Sequence, residues 1–452
     1  MLNGLISLFG IILTILFVVG VHEFGHFFTA RLLGIKVLRF SIGFGKALWH
    51  GYDKKGTEYV LAAIPLGGYV KILNEDEGVV PKEELHLAFN RQPFYKKFLV
   101  VIAGPIANLV LAFFLYWLLL IIGFTSIVPV IGNTLPGSIA FKAGVPKHQE
   151  IVSIDQRSTT SWVSVIIQIL SHTGERDRLP IETKKLNSLE KPKTYLLDLT
   201  TWHMDDLKPD PLYSLGIIPY TPHIPAIIGK IFPHTPAALY FKTGDQVLLV
   251  NQKAVKDWED LIIIIDKHPE EKLFFTIKRA GKIEHFIATT DYKRDILFKK
   301  HGFLGISPSF QWPKNLLHEN KYGPITALSH AWQNTYDFTY LNFLILGKLL
   351  SGKISLQSLG GPISIFQSAG SAVHQGIAPF LSFIAFLSIA IGIINVLPIP
   401  GLDGGHILFQ LIEVITRRPI PPRVLALCYR LGIIALLVLA SQAIVNDLLR
   451  LK

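Results

Sequence analysis

The residues best equipped for chemistry stand together near the start of the chain. They are His22-Glu23-Phe24-Gly25-His26, an HExxH pattern at the inner end of an apolar run that begins near Leu5. In a helix of ~3.6 residues per turn the two imidazoles share one face, one turn apart, where both can bind one zinc ion. Glu23, beside them, can act as base on a water at that ion. Two histidines and a glutamate are costly inside a lipid-spanning segment, so the constellation points to function. A catalytic zinc takes three protein ligands and keeps its fourth position open, so one ligand is missing. The only cysteine is Cys428, which leaves His, Asp or Glu to supply it. Asp403 is the candidate, in Asn395-Val396-Leu397-Pro398-Ile399-Pro400-Gly401-Leu402-Asp403-Gly404-Gly405-His406. Pro398 and Pro400 unwind a helix end there, and Gly404 and Gly405 allow close backbone approach. His406 is the rival ligand, although a supporting place on the helix face suits it better.

These residues need membrane helices to position them. The chain has 452 residues, 50% of them hydrophobic, and a mean hydropathy of +0.40, above the norm for a soluble protein. Its net charge of +11 forms no basic stripe interleaved with aromatics, which argues against nucleic acid. The N-terminal run lacks a basic leader and carries the histidine motif where a cleavage site would fall, so it reads as a retained span. Spans are expected at 5–28, 98–124, 379–397 and 431–445. Arg31, Lys36 and Arg39 follow the first span, Arg91, Lys96 and Lys97 precede the second, and Arg417, Arg418, Arg423 and Arg430 lie between the third and fourth. The positive-inside rule then puts the first and third connections in the cytoplasm and the long middle region outside. Arg450 and Lys452 pull the other way at the C-terminus. Between the first two spans, 35–40 and 57–63 are strand-like around an Asp53-Lys54-Lys55-Gly56 turn. Phe40, Ile42, Phe44, Leu48 and Trp49, with Gly43, Gly45, Gly67 and Gly68, suit a hairpin dipping into the bilayer beside the motif, with a surface hairpin as the plainer alternative.

From 128 to 309 the pattern changes to short strands and turns, and it repeats. Val130-Ile131-Gly132, Pro136, Ala140, Lys142, Gly144, the run 151–155 and Trp162 are echoed by Ile227-Ile228-Gly229, Pro233, Ala238, Lys242, Gly244, the run 247–251 and Trp258. This resembles tandem PDZ domains, which bind an extended peptide or a free C-terminus by adding it to a sheet edge. A β-rich spacer without a ligand is the plainer reading. Aromatic and apolar residues at 321–375 suit helices on the outer membrane surface, and helices packed on the PDZ-like domains would look similar. The expected organisation is a membrane part at 1–124, PDZ-like domains at 128–220 and 224–310, an amphipathic region at 321–375, and a second membrane part at 376–452. The fold class is a multi-pass α-helical membrane protein with four transmembrane helices, a membrane-associated β-hairpin and two inserted PDZ-like domains.

His22-Glu23-Phe24-Gly25-His26 with Leu402-Asp403-Gly404, four spans and a tandem PDZ-like insert resembles the site-2 protease family of intramembrane metalloproteases. The segments 40–45, 64–70, 103–108 and 361–364 extend the likeness over nearly the whole chain. The resemblance implies His22, His26 and Asp403 as ligands of Zn2+, Glu23 as general base, and Asn395 as a substrate or transition-state contact. Gly401 departs from the family pattern, which has a slightly larger residue there. The activity implied is hydrolysis of peptide bonds within transmembrane segments of single-pass membrane proteins. The type is regulated intramembrane proteolysis of an anti-sigma factor in envelope stress signalling, with remnant signal peptides as a further substrate class. The implied location is the bacterial inner membrane, PDZ-like domains in the periplasm and active site near the cytoplasmic face. Two other classes fit less well. An inactive, membrane-anchored tandem-PDZ scaffold or sensor would have no reason to keep Glu23 between two histidines. A metal transporter needs polar residues in several spans, and the fourth has only Ser441, Gln442 and Asn446 near its end.

Overall fold

Among the described residues, four helices are long and apolar enough to cross a membrane: Phe9–Leu32, which is the main part of Leu2–Leu32, then Phe94–Ile122, Ile377–Val396 and Pro422–Arg450. The computed structural model describes residues 2–75, 78–205, 209–294 and 299–450. The fourth helix is much longer than the expected 431–445, because it continues through Arg423 and Arg430 where an apolar window ends. The second helix is the hub. Its Leu111, Leu115 and Tyr116 form one buried core with Val18 of the first helix and Ile384 and Ile389 of the third. Small residues bring the backbones close there. A Cβ on Gly25 would stand 2.4 Å from the Ala103 carbonyl oxygen. The fourth helix stays at the periphery, and a Cβ on its Gly432 would lie 2.0 Å from the Pro400 carbonyl oxygen.

Two strands, β1 (Val37–Tyr52) and β2 (Glu58–Ile72), follow the first helix and run well beyond the expected strands. Their turn is built on Asp53, whose Oδ1 accepts from the backbone N–H of Lys55 at 2.9 Å and of Thr57 at 3.0 Å. Gly43 and Gly45, at φ of +92° and +87°, bend β1 upon itself. Residues 39–42 therefore face 68–71 on one side and 58–61 on the other, while 49–52 face 58–61 from the far side. The sheet has 68–72 along one edge. Alternation of apolar and polar residues fails across the glycines, which is why the sequence pattern shows only two short pieces of it.

The middle region leaves and rejoins the bundle through one ribbon. Phe124–Ile127 pairs with Leu317–Asn320, and the Asn320 side-chain N–H donates to Ser126 Oγ at 2.9 Å. Strands this short carry no readable pattern. Between them lie two β-rich units that share an element order up to their last strand, which a short helix, Pro211–Leu215, precedes in the first and a hairpin of Asp291–Arg294 with Lys300–Phe303 in the second. In the first, Gln149–Ile154 pairs with Arg157–Ser158 and Arg178–Lys185, which pairs with Lys193–Asp198, and Ile131–Thr134 pairs with Ile217–Pro219. In the second, Gln246–Val250, Lys253–Ala254, Lys272–Arg279 and Lys282–Thr289 repeat that sheet, and Ile228–Ile231 pairs with Ile306–Pro308. Each unit carries one helix of useful length, Trp162–Ser171 or Trp258–Asp266, whose Ser161 or Asp257 side chain caps its first turn.

The region 321–375 does more than lie on a surface. Its long helix, Pro324–Leu350, buries Ala327 and Ala331 in the membrane core, and Phe338 stacks on Tyr116 with ring centroids 5.7 Å apart. Its far end meets the first β-rich unit, where the buried Lys348 ammonium donates to the Ser171 carbonyl. A second helix, Pro362–Gln375, packs against the first membrane helix at Gly10.

Candidate metal centre

The first helix carries His22 and His26 on one face, as its periodicity requires. Their Nε2 atoms are 3.2 Å apart. His26 lies six residues before Leu32, about 9 Å from the helix end at 1.5 Å per residue. Asp403 comes from the other half of the chain. The third membrane helix ends at Val396, and the Pro398–Gly401 stretch turns the backbone into the helix Asp403–Thr416. Gly401 sits at φ +103°, a left-handed conformation that favours glycine, so its departure from the larger residue accompanies this turn. A Cβ on Gly404 would meet the Leu397 and Val396 carbonyl oxygens at 2.2 Å, and one on Gly405 the Ile399 oxygen at 2.4 Å. Glycine is required at both for the loop to close on itself.

The result is a triangle. Asp403 Oδ2 stands 3.1 Å from His22 Nε2 and 3.4 Å from His26 Nε2. Ligand atoms about 2.0 to 2.1 Å from a tetrahedral zinc stand about 3.3 Å from one another. All three edges match. Asp403 Oδ2 is also buried without a hydrogen-bond partner, as suits an atom directed at a cation. The donor set of two imidazoles and a carboxylate is one that zinc accepts, so the residues fit that ion.

The second helix backs the triangle. Val100, Gly104 and Asn108 recur every four residues along it, matching the spacing of the histidines they face. His26 Nδ1 lies 2.8 Å from the Val100 carbonyl oxygen, and His22 Nδ1 lies 3.3 Å from the Asn108 side-chain nitrogen. Gly104 between them touches both rings, because a Cβ there would stand 2.3 Å from His26 Nε2 and 2.9 Å from His22 Cε1. Reasoning from the motif missed these partners. An asparagine in the middle of an apolar span was the available signal.

A cavity of about 470 Å³ opens on the centre, lined by Glu23, Asn395, His406 and the sheet edge 68–72. Gly68 permits this approach, since a Cβ on it would stand 2.9 Å from Glu23 Cγ. Asn395, on the last turn of the third helix, reaches the same cavity while its Nδ2 donates to the Ile391 carbonyl at 3.0 Å. His406 lines the cavity too, but its Nδ1 faces the Tyr429 hydroxyl at 3.1 Å and it is outside the triangle. One other group among the described residues has metal-like spacing, His172, Glu175 and Asp177. A cation already serves it, for the Lys348 ammonium lies 3.7 Å from Glu175.

Comparison with known proteins follows the same lines. The model of Peptidase family M50 matches residues 10–439. Protease RseP of Yersinia pestis and Regulator of sigma-E protease RseP of Escherichia coli K12 are each 38% identical, with 100% of both chains covered. A Vibrio cholerae protein described as a zinc metalloprotease is 38% identical over 96% of each chain. Among solved structures, the PDZ domain of the SdrC-like protein of Listeria innocua is 16% identical, with 19% of this chain and 96% of that one covered at a TM-score of 0.17. Family and relatives alike extend through both halves of the membrane part that meet at the triangle, which makes this chain a member of Peptidase family M50, the site-2 protease family, and a zinc metalloprotease.

Proposed function

We propose that the chain cleaves peptide bonds within transmembrane segments of single-pass proteins, with zinc held by His22, His26 and Asp403. The observation that carries this reading is the three-ligand triangle, two of its residues on a helix long enough to span a bilayer, open to one cavity that Glu23 also lines. Bound there, zinc would polarise the scissile carbonyl and lower the pKa of a water toward ~7. Glu23 accepts that water's proton and passes it to the leaving amine. Asn395 lines the same cavity, where its amide can donate to the carbonyl oxygen as negative charge develops. A helical substrate hides its carbonyls in its own hydrogen bonds and must unwind to be cut. The edge 68–72 beside Glu23 offers such an unwound segment a strand to pair with.

The basic residues around the first and third connections favour a cytoplasmic position for the sheet and the metal centre, with the two β-rich units in the periplasm of a Gram-negative inner membrane. We read those units as PDZ-like domains that control which substrates arrive. Relatives named for regulation of sigma-E favour a membrane-bound anti-sigma factor as the substrate class. The test is purification in detergent with metal analysis and a cleavage assay on a transmembrane peptide. One zinc per chain and cuts inside the apolar segment support the reading, whereas cuts confined to soluble flanks or zinc retained in His22→Ala overturn it. Cysteines introduced at Ser188 and Lys82 in a Cys428→Ala background test the orientation, since labelling of residue 82 alone by an outside-only reagent inverts it.

A further inference from the structure

We infer that Asn108 is a positioning residue for the metal centre, holding His22 through its side-chain oxygen by accepting the ring's Nδ1–H. The inference rests on the reading that zinc sits on His22, His26 and Asp403. If both histidines bind through Nε2, the atoms that face each other and Asp403, then each neutral ring carries its proton on Nδ1. Each Nδ1 must therefore donate, and in a membrane interior an unmet donor is costly. His26 donates to the Val100 carbonyl at 2.8 Å. His22 has the Asn108 amide within reach at 3.3 Å, but the atom at that distance is Nδ2, a donor facing a donor.

The other half of that amide resolves the conflict. Asn108 is fully buried, and its Oδ1 has no hydrogen-bond partner. The two ends of an amide differ only in their partners. Turning it by half a rotation puts Oδ1 against His22 Nδ1–H, replacing a donor pair by a hydrogen bond, and moves the amide N–H groups to the place where Oδ1 has no partner. The backbone of Asn108 is itself fixed, because its carbonyl accepts from Ser388 Oγ of the third helix at 2.9 Å. The arrangement along the second helix is then symmetrical in purpose. A backbone oxygen at 100 serves one histidine, a side-chain oxygen at 108 serves the other, and Gly104 leaves room for both rings. Asn108 also connects the two halves of the chain that supply the ligands.

The experiment measures zinc affinity of the purified full chain by competition with a chromophoric chelator, and the shift in thermal unfolding on adding zinc. Wild type and His22→Ala come first. A wild type without zinc, or a His22→Ala chain that binds as tightly, overturns the three-ligand centre itself. Given that centre, Asn108→Leu should bind zinc about 10- to 100-fold more weakly, the usual cost of losing a ligand's outer partner. Its metal-free form should melt like metal-free wild type, so that only the zinc-dependent increment shrinks. Asn108→Asp keeps the shape and offers only acceptors, and should hold zinc within about threefold of wild type. Asn108→Leu binding as tightly as wild type overturns the inference. So does an Asn108→Asp chain that loses zinc as badly as Asn108→Leu, since that result requires the amide to act as donor.

Discussion

The membrane core and the inserted β-rich units use their buried polar groups in opposite ways. In the core, His22, His26, Asp403 and Asn108 come from three separate segments and converge on one centre. In the second inserted unit, Asp245 is buried to 1% exposure and is committed locally. Its carboxylate accepts from Arg279 at 2.7 and 2.8 Å and from the Lys242 N–H at 2.7 Å. The first unit fills the matching place, after Gly144, with buried Val145, and its core is aliphatic where the second packs Phe241 against Phe275 and Phe286. The two units differ by a salt bridge against a valine there and still share the same four-stranded sheet. His22, His26, Asp403 and Asn108 have no such freedom, because all four converge on one centre.

That contrast is broken most directly at the centre. Glu23→Gln should lower cleavage by about 10²- to 10⁴-fold while zinc content stays at the wild-type level, because the amide cannot take the water's proton and is no ligand. Turnover near the wild-type rate would remove Glu23 from its role. His22→Ala, His26→Ala and Asp403→Ala should instead lose zinc. Full occupancy in Asp403→Ala with loss in His406→Ala would mean that the third ligand is His406. Gly104→Ala adds one methyl 2.3 Å from His26 Nε2 and cannot leave both rings in place. Zinc affinity should fall by at least ~10-fold, as when a ligand loses its support, and dialysis against chelator would show it. An unaltered affinity would mean that the two helices separate freely, contrary to the close approach at Gly25.

How legible these features were follows from their range along the chain. His22, Glu23 and His26 are one helical turn, so spacing alone puts them together. Asp403 was legible because a carboxylate just after a Pro-broken apolar span is costly to bury unless a cation meets it. The hairpin's bend depends on Gly43 and Gly45 at positive φ, which composition suggests but does not direct. The ribbon at Phe124–Ile127 and Leu317–Asn320, the packing of Pro324–Leu350 on the second helix, and the face of Asn108 toward His22 join residues tens to hundreds of positions apart. No local period encodes them.

In the insert, Asp245→Ala should be felt as stability alone. Removing one partner of a buried pair usually costs about 3 to 5 kcal/mol, and about 2 to 4 is expected here because Arg279 keeps Glu284 at 2.5 Å. The measurement is protease resistance of the insert against temperature, with cleavage of an outer-truncated substrate unchanged. A drop in that cleavage would join the two regions that the comparison separates.

The smallest expected effect concerns selection. If the units only occupy volume above the cavity, they exclude substrates with bulky outer portions. If a PDZ-like groove captures a freshly exposed C-terminus, they recruit instead. The segments 135–140 and 232–237, where the tandem-PDZ resemblance would put the carboxylate loops, lack the usual glycine-rich signature, and this favours exclusion. The ribbon makes a clean deletion available. Val128 N–H donates to the Leu316 carbonyl at 2.9 Å, so residues 129–315 can be replaced by a short glycine linker that turns the ribbon into a hairpin. Exclusion predicts that this variant cleaves a full-length single-pass substrate several-fold faster than the intact enzyme and an outer-truncated one at the same rate. Recruitment predicts a slower cut of the truncated form, whose new C-terminus no longer finds a groove. An unchanged preference for the short substrate rules out the gate, because a barrier made of volume cannot survive removal of that volume.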